Sequence, residues 1–468
     1  MPESTSARSN GAGPTIGLLS PCGWGDLGNF AIIDSLIHGI RERMPGARFV
    51  GFTLNPDDTA HRHDIEAHTC AAYSLPFYPV REPGPIDGPA GGDGRSESRR
   101  TGLLSAAANR VRSALRRMPV HGALRTWAIA PFRLIHEPGH FARSRERLRG
   151  ASALVVAGGG QLDAAWGGVL GHPYTLWRWG RLARSVGATY VFASVGTGSV
   201  PGISRHVILR ALGLAAYRSY RDERSRELLR ASDMTARDRI VPDLAYALPF
   251  EPTPPPRGGH LVIGLSPMNY KLNGRWPKPD GAQYRRHISS FARLGAHALA
   301  DGHEVVVFVT DDDGPAIDDT MNALRDLAPE AISRVRYVPT PTVQALLGVL
   351  SSLDVAAVAR LHGVVLSHVA NRPVLAVAHE RKVRTLMHEM GQSNFCFDIS
   401  DFDPAKGYQQ LLLMMAERDK VTDQIARAVA ENRTRVLEQY DRLFGRSGLL
   451  QPSAPSSLEA LRVVQASS

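Results

Sequence analysis

Residues 354–388 constrain the fold more strongly than any other stretch of the chain. An apolar run over residues 354–359 breaks at a polar turn, residues 360–363. Apolar side chains at helical spacing follow, and then a second apolar run over residues 374–377. A short apolar run that leads into a helical pattern is typical of a buried parallel strand and its crossover helix. The stretch therefore predicts a strand, a turn, a helix and a strand, as in an α/β fold.

The turn between the first strand and the helix reads Arg360-Leu361-His362-Gly363. α/β proteins place their chemistry at this position, and the N–H groups of a helix start favour a bound anion. Arg360 offers a guanidinium that fits a carboxylate or a phosphate, and His362 can exchange a proton near neutral pH. The alternative is that both residues only cap the helix or pair with a surface carboxylate. The apolar segments on either side favour the functional interpretation, because they place the turn at the edge of a core.

Two glycine-rich turns elsewhere follow the same pattern. A strand over residues 16–19 leads into residues 22–29, which contain three glycines, and an apolar strand over residues 153–157 leads into the triple glycine at 158–160. Glycines at a strand end let a ligand approach the backbone closely. Neither turn has the Gly-x-Gly-x-x-Gly pattern of dinucleotide-binding proteins, and for the first turn an ordinary tight connection is the alternative.

Together these motifs resemble the polysaccharide pyruvyl transferase family. The most specific similarity covers residues 360–382, from the Arg-Leu-His-Gly turn through an Asn-Arg-Pro-Val segment to a lysine that precedes a helix. The triple glycine and the Arg221-Asp222 segment are moderately specific. The resemblance runs from about residue 16 to about residue 400, and residues 81–150 are an insertion outside it.

The alternation of strands and helices in both halves predicts two Rossmann-like, doubly wound α/β domains that face a cleft. The resemblance implies an arrangement similar to GT-B glycosyltransferases, with a basic helical insertion in the first domain. The expected segments are a disordered tail at 1–13, an N-terminal domain at 14–250, a proline-rich linker at 251–259, a C-terminal domain at 260–404, a helix packing across both domains at 405–445, and a tail at 446–468.

The resemblance implies transfer of a pyruvyl group from phosphoenolpyruvate to two sugar hydroxyls, which forms a ketal. On this basis Arg360 and Arg221 would bind the donor anions in the C-terminal half of the cleft, and Lys382 would be a third cation. His362 would be the general acid, and Asp26 is a candidate base. No metal and no cofactor are expected, since phosphoenolpyruvate is a co-substrate.

Other residues of these motifs are expected to line the cleft. Leu361 and Gly363 would complete the donor site, while the residues expected on the acceptor side are Gly25, Asn29, Gly159, Gly160 and His172. The family usually shows Asn-x-Gly-Asp in the first glycine loop, but this chain has Asp26 and Asn29 with the acid and the amide exchanged. The exchange leaves open whether Asp26 takes over the role of the family's acid.

Two further patterns allow competing interpretations. His172 is followed by aromatic residues at 174, 177 and 179, which would form either a core-facing helix or a sugar-stacking surface; the core helix is favoured. The acidic run at 311–313 does not match a calcium-binding loop, and a solvated turn is favoured over a metal site.

Composition limits the class of protein. The chain has 468 residues, 43% apolar and 21% charged, and a net charge of +10, which suits a globular protein of two domains with anionic partners. Its three cysteines are widely spaced, which favours a reducing compartment and argues against a zinc cluster. No apolar run approaches the roughly 20 residues needed to cross a bilayer. We expect a cytoplasmic location, with peripheral contact at the inner face of the membrane as an option.

The positive charge is concentrated at residues 101–149, where arginines accompany apolar residues at roughly helical spacing. We favour a solvated helical insertion that packs over the first domain, on its acceptor side. Contact with an anionic membrane surface is the alternative. Nucleic-acid binding is not expected, because the stretch lacks interleaved aromatic residues and known motifs.

Two other functions fit the same sequence. A GT-B glycosyltransferase that uses a nucleotide sugar would need the same fold, glycine turns and basic cleft. A non-catalytic protein that binds anions or glycans would also fit, and the exchange of Asp26 and Asn29 gives it some support. The acceptor is expected to be a sugar or a lipid-linked oligosaccharide; the sequence leaves its identity and the oligomeric state open.

Overall fold

The computed structural model describes most of the two predicted domains. The described residues are 13–23, 25–71, 137–164, 168–198, 200–230, 238–254, 259–273, 276 and 278–450. Four parts of the predicted segments lie outside the described residues: 1–12 of the first tail, 451–468 of the last tail, 255–258 of the linker and 81–136 of the basic insertion. Residues 137–148 at the end of that insertion form a helix.

The first domain contains a parallel sheet, which has seven strands in the described part of the chain, in the order β3-β2-β1-β4-β5-β6-β7. Its strands are β1 (Thr15–Leu19), β2 (Arg48–Thr53), β3 (Glu66–Thr69), β4 (Ala151–Leu162), β5 (Thr189–Thr197), β6 (Tyr217–Tyr220) and β7 (Arg239–Ile240). Its helices are α1 (Leu27–Arg43), α2 (Pro56–His63), α3 (137–148), α4 (His172–Ser185), α5 (Gly202–Leu212) and α6 (Glu223–Leu229). A short 3-10 helix, Leu244–Ala247, closes the domain.

The second domain repeats this arrangement with six described parallel strands, in the order β10-β9-β8-β11-β12-β13. Its strands are β8 (Val262–Ser266), β9 (Glu304–Phe308), β10 (Val335–Val338), β11 (Val355–Val358), β12 (Val374–Ala378) and β13 (Cys396–Asp398). Its helices are α7 (Gly281–Ala300), α8 (Gly314–Leu327), α9 (Val343–Ser351), α10 (Leu361–Val369), α11 (Arg381–Glu389), α12 (Pro404–Ala416) and α13 (Arg418–Phe444).

The strand order reverses once in each sheet, between β1 and β4 and between β8 and β11. In open α/β sheets the crevice beyond such a reversal is where ligands bind. The strand β11 shows why the opening stretch constrains the fold: its four residues are wholly buried, and it pairs with β8 on one side and β12 on the other. The predicted strand, turn, helix and strand are therefore present, and the doubly wound two-domain class is confirmed.

An apolar cluster joins the two domains behind the cleft. It includes Phe30 and Ile33 of α1, Leu361 and Val365 of α10, and Tyr440 of α13. Because these side chains leave water on contact with one another, the two sheets are held together by apolar burial and not only by the linker.

The C-terminal helix expected over residues 405–445 is instead two helices, which are separated at Glu417. The first, α12, packs against α7 of the second domain. The second, α13, contacts both domains: Arg418 contacts Asp354 at 2.8 Å near its start, and the hydroxyl of Tyr440 lies 3.0 Å from Oγ of Ser35 near its end. Among the described residues no helix is both long and apolar enough to cross a membrane.

The contact between α13 and α1 depends on Gly39. A Cβ atom at Gly39 would lie 2.2 Å from Cδ2 of Tyr440, which is buried. We expect Gly39→Ala to lower the free energy of unfolding by about 1–3 kcal/mol, because overpacking outweighs the roughly 1 kcal/mol by which alanine favours a helix. Denaturant unfolding followed by circular dichroism measures the change.

The matched control is Gly348→Ala in α9. Gly348 is exposed, and no atom within the described ranges would come within 4 Å of a Cβ there. This variant should gain up to about 1 kcal/mol from helix propensity. If both variants shifted stability equally, the close contact of Gly39 with Tyr440 would be contradicted.

Candidate active site between the two domains

The cleft is lined by residues that follow strands of both sheets. In the first domain these come after β1, β4, β6 and β7, and in the second after β9, β11 and β12. Parallel strands deliver such residues to one edge of each sheet, and the two edges face one another. The site is therefore assembled from segments that are far apart in the sequence.

A close contact across the cleft joins His362 at the start of α10 to Gly28 at the start of α1. A Cβ atom at Gly28 would lie 1.8 Å from Nδ1 of His362, so the imidazole ring occupies the space that a side chain would need. Nε2 of His362 is buried and makes no hydrogen bond to the described residues. This nitrogen faces the carboxylate of Asp243, while the His362 side chain as a whole is 18% exposed.

Asp243 connects His362 to Arg221. Its Oδ2 accepts a hydrogen bond from Nη1 of Arg221 at 3.2 Å and lies 3.6 Å from Nε2 of His362, just beyond hydrogen-bond distance. Its Oδ1 accepts from the backbone N–H of Ala245 at 3.1 Å, which fixes the carboxylate at the start of the 3-10 helix. Burial acts to raise the pKa of Asp243, but His362, Arg221 and the backbone donor outweigh it and hold the pKa well below its usual range. Asp243 is therefore an anion in the folded protein.

Arg221 follows β6 and lies flat against the backbone of β5. A Cβ atom at Gly196 would lie 2.8 Å from Nη2 of Arg221, so this glycine makes room for the guanidinium. Asp222 accepts from the backbone N–H of Ser225 at 2.7 Å and caps α6. Its own distance to Nε of Arg221 is 3.9 Å, and Asp243 is the closer partner.

Arg360 follows β11 directly before α10 and contacts two aspartates. Its Nε and Nη2 donate to the two carboxylate oxygens of Asp313 at 2.8 and 2.7 Å, and its Nη1 lies 3.2 Å from Oδ2 of Asp311. Asp313 also accepts from the backbone N–H of Asn269 at 2.8 Å and is wholly buried. The expectation of a solvated turn at 311–313 is therefore wrong. The reason is that this turn follows β9 and lies at the same edge of the sheet as Arg360. Asp311 and Asp313 of the turn therefore contact the guanidinium and do not both extend into solvent.

Asp311 is one of the cleft residues that the sequence did not reveal. Burial raises its pKa to about 7; Arg360 lowers the pKa, while the negative charges of Asp26 and Asp313 raise it further. A carboxyl group whose pKa is near neutrality, in a cleft, is a candidate for proton transfer. The available signal was the position of the acidic run, which follows an apolar strand directly.

Asp26 and Asn29, which are exchanged relative to the family pattern, are in contact. Asp26 caps α1: its Oδ1 accepts from the backbone N–H of Asn29 at 3.1 Å, and its Oδ2 accepts from the Asn29 side-chain amide. A Cβ atom at Gly159 would lie 2.7 Å from Oδ1 of Asn29, and the φ of Gly159 is +70°, so this position requires glycine. Although the acid and the amide are exchanged in sequence, the side chains of Asp26 and Asn29 are hydrogen-bonded to each other, and Asn29 lies beside the triple glycine.

The family profile for polysaccharide pyruvyl transferases matches residues 26–381, which is most of the chain. The chain belongs to the polysaccharide pyruvyl transferase family. The match includes the segments that carry Asp26, Arg221, Arg360 and His362. No sequence among the curated proteins matches this transferase significantly.

Solved structures resemble the transferase in fold. A Listeria monocytogenes protein assigned to the UDP-N-acetylglucosamine 2-epimerases has a TM-score of 0.50 and 11% identity, over 92% of this chain and 96% of that chain. HepE of Anabaena, solved with UDP and glucose, has a TM-score of 0.49 and 9% identity, over 97% of this chain and 100% of that chain. At 11% identity, the similarity to the Listeria monocytogenes structure shows the GT-B fold alone.

Lys382 lies near the site but is already paired. It follows β12, the neighbour of β11, and its Nζ lies 2.9 Å from Oε1 of Glu380. His379 contacts the same oxygen at 2.7 Å. Burial acts to raise the pKa of Glu380, but His379 and Lys382 outweigh it and hold the pKa well below its usual range. The role of Lys382 as a third cation for the donor stays a prediction.

Leu361 and Gly363 support the turn from within. Leu361 is buried in the apolar cluster between the domains. A Cβ atom at Gly363 would lie 2.4 Å from Cγ1 of Val358, so its glycine lets α10 lie close to β11. By contrast, no atom of the described residues would come within 4 Å of a Cβ at Gly25 or Gly160, and both therefore face open space.

His172 is enclosed within the first domain, where its ring is 2% exposed and its Nε2 lies 3.3 Å from Oε1 of Gln161. Burial lowers its pKa to about 4, so it is neutral at pH 7. Trp179 is also in the core, 4.3 Å from Phe52 between ring centroids. Its partner Gln161 is the residue that follows the triple glycine. We therefore conclude that His172 stabilises the glycine turn and does not make the expected contact with the acceptor.

No group of three or more histidine, cysteine or acidic side chains in the described ranges is arranged to hold a metal ion.

Asp243→Asn tests the buried ion pair. Because the folded pKa of Asp243 lies below its unfolded value of about 3.9, its contribution to stability is complete above that pH and is lost only as the pH falls through the folded pKa. The variant should therefore lose about 3 kcal/mol of unfolding free energy at both pH 5 and pH 8, because Arg221 is left without its buried partner.

The measurement is urea unfolding at the two pH values. Asp398→Asn, which breaks an ion pair with Arg384 on the surface, is the control and should change stability by less than about 1 kcal/mol. If the variant lost unfolding free energy at pH 8 but not at pH 5, Asp243 would have to be protonated in the folded protein at pH 5. That result would contradict its assignment as an anion.

Proposed function

We propose that the protein transfers the pyruvyl group of phosphoenolpyruvate to two hydroxyls of a sugar in a cell-surface polysaccharide or exopolysaccharide, forming a ketal and releasing phosphate. The observation that supports this is the convergence of Arg221, Arg360 and His362. They follow strands of two different sheets, yet Asp243 links Arg221 to His362, and His362 lies two residues from Arg360 at the start of α10.

The donor makes demands that these groups meet. Phosphoenolpyruvate carries a carboxylate and a phosphate, and planar guanidinium groups bind both in a fixed geometry. The start of α10 adds backbone N–H groups that no intrahelical partner uses. We therefore propose that the donor lies between Arg360 and Arg221, with its methylene carbon toward the imidazole of His362.

The proposed reaction begins with a proton from His362. The electrons of the donor's double bond form the new C–H bond, and the adjacent carbon becomes electron-deficient. A sugar hydroxyl adds to that carbon and gives its proton to a base, for which Asp26 is the candidate. The C–O bond to phosphate then breaks, and the second hydroxyl adds. Overall, one hydroxyl proton ends in the new methyl group and the other on the departing phosphate.

The acceptor is placed against the first domain. Gly25 and Gly160 face open space there, and Asp26 caps α1 beside them. Glycine turns without side chains leave room for a sugar close to the backbone. Contact between the basic insertion and an anionic membrane, where a lipid-linked acceptor would lie, stays a prediction because residues 101–136 lie outside the described residues.

A cysteine nucleophile is not required by this scheme, and the two buried cysteines do not suit one. Burial raises the pKa of both Cys22 and Cys70 to about 12, so neither forms a thiolate at neutral pH. All three cysteines are free thiols, in accord with a reducing cytoplasm as the proposed location.

The proposed donor is tested by incubating the purified protein with a pyruvylation-competent glycan and either phosphoenolpyruvate or a mixture of nucleotide sugars. Release of inorganic phosphate together with a mass gain on the glycan is expected in the first reaction only. Release of nucleotide in the second would instead make the protein a glycosyltransferase. Donor binding without either product would favour the non-catalytic alternative.

His362→Asn tests the acid. We expect kcat to fall by about 10²–10⁴, the usual contribution of a positioned acid, while the Kd for phosphoenolpyruvate changes little. Steady-state kinetics and calorimetry measure the two quantities. His388→Asn is the control, because His388 is exposed on α11 and contacts Ser393. A His362→Asn enzyme with normal kcat would remove this residue from the chemistry.

A further inference from the structure

Carboxylates outnumber guanidiniums in the cleft. Two arginines and four aspartates of the described chain form its charged centre: Arg221, Arg360, Asp26, Asp243, Asp311 and Asp313. With His362 protonated, as the proposed reaction requires, three cations face four carboxylates, so a donor with two acidic groups would meet an excess of negative charge while all four carboxylates are ionised. Since like charges at such distances repel strongly in a partly buried site, donor binding requires that some of this negative charge be removed.

The hydrogen bonds of Arg360 show which carboxylate can give way. Asp313 binds Nε and Nη2 together and also accepts from the backbone of Asn269, and its side chain is 1% exposed. Asp311 makes one contact with Arg360, at 3.2 Å to Nη1, and its side chain is 27% exposed. Its other oxygen accepts from the N–H of the next residue, Asp312, at 2.7 Å. Asp313 is a fixed partner of the guanidinium, whereas Asp311 can be displaced.

We propose that Asp311 is a displaceable counter-ion of Arg360. Before the donor binds, it occupies Nη1 of the guanidinium; an anionic group of the donor then takes that place, and the released carboxylate takes up a proton. This inference rests on the proposed function, because it takes phosphoenolpyruvate as the anion.

The proton uptake follows from the neighbours of Asp311. The groups that face it are Arg360 at the start of α10, Asp313 in its own turn, Asp26 at the start of α1 and the N–H of Asp312. Once the donor neutralises Arg360, the remaining charges around Asp311 are negative and favour its protonated form. The pKa of Asp311 of about 7 before binding places this uptake in the neutral range. Donor affinity should then fall as the pH rises, by at most about tenfold per pH unit for this proton.

The experiment is calorimetric titration of phosphoenolpyruvate into wild-type protein and Asp311→Asn between pH 6 and pH 8. Two buffers of different ionisation enthalpy are used, so that protons exchanged on binding can be counted. The donor's phosphate also exchanges protons in this range, but it does so with both proteins. At pH 8 we expect wild type to take up about one proton more than the variant, and the variant to bind the donor about tenfold more tightly.

Asp312→Asn is the matched control, because it removes a carboxylate from the same turn and leaves both partners of Arg360 in place. It should behave as wild type. Asp311→Ser is a second variant of the same kind, and thermal unfolding establishes that each variant is folded.

Equal proton uptake by wild type and both Asp311 variants would overturn this inference and leave the proposed function intact. Loss of donor binding in folded Asp311 variants would also overturn it, since Asp311 would then be a required ligand and not a competitor. Failure of the wild-type protein to bind phosphoenolpyruvate would overturn the proposed function as well. The behaviour of the wild type therefore tests the proposed function, and the difference between wild type and the Asp311 variants tests the inference.

Discussion

The buried carboxylate of Asp243 lies 3.2 Å from Arg221 of the first domain and 3.6 Å from His362 of the second. A charge so deeply buried is stable only when it is paired, so the two domains must approach closely enough to surround it. Gly28 makes that approach possible, because any larger residue would collide with the ring of His362. The position of the imidazole is thus set by both domains, and opening of the cleft would uncouple it from Arg221.

The two domains meet through charged contacts on one side and apolar contacts on the other. The charged contacts lie in the cleft, at the strand-order reversals of both sheets, and include those of Asp243 with Arg221 and His362. Behind, α1, α10 and α13 share one apolar cluster, and α13 binds Asp354 of one domain and Ser35 of the other. Apolar contact does not depend on the charge state of the cleft. The protein can therefore hold its domains together while the charges in front exchange one partner for another.

The sequence allowed the strand, turn and helix around Arg360 to be predicted, because a buried strand and an amphipathic helix leave periodic patterns. It also identified Arg221 and His362, through the turns that carry them. The partners of these residues could not be found in the same way. Asp311 and Asp313 follow β9, which is separated from β11 by β8, and only the sheet order brings the two strand ends together. Asp243 and the buried His172 depend in the same way on packing between distant segments.

The excess of carboxylates has a consequence for the end of the reaction. A guanidinium that binds a phosphate-containing donor tightly also binds the phosphate product, and slow product release limits many enzymes. Arg360 differs from a cation that contacts only solvent, because the carboxylate of Asp311 lies 3.2 Å from its Nη1 and competes with phosphate for that group. If Asp311 loses its proton as the phosphate departs, it returns to Arg360 and opposes rebinding of the product. The same residue would then weaken donor affinity and shorten product residence, and the balance between the two would vary with pH through a single carboxyl group.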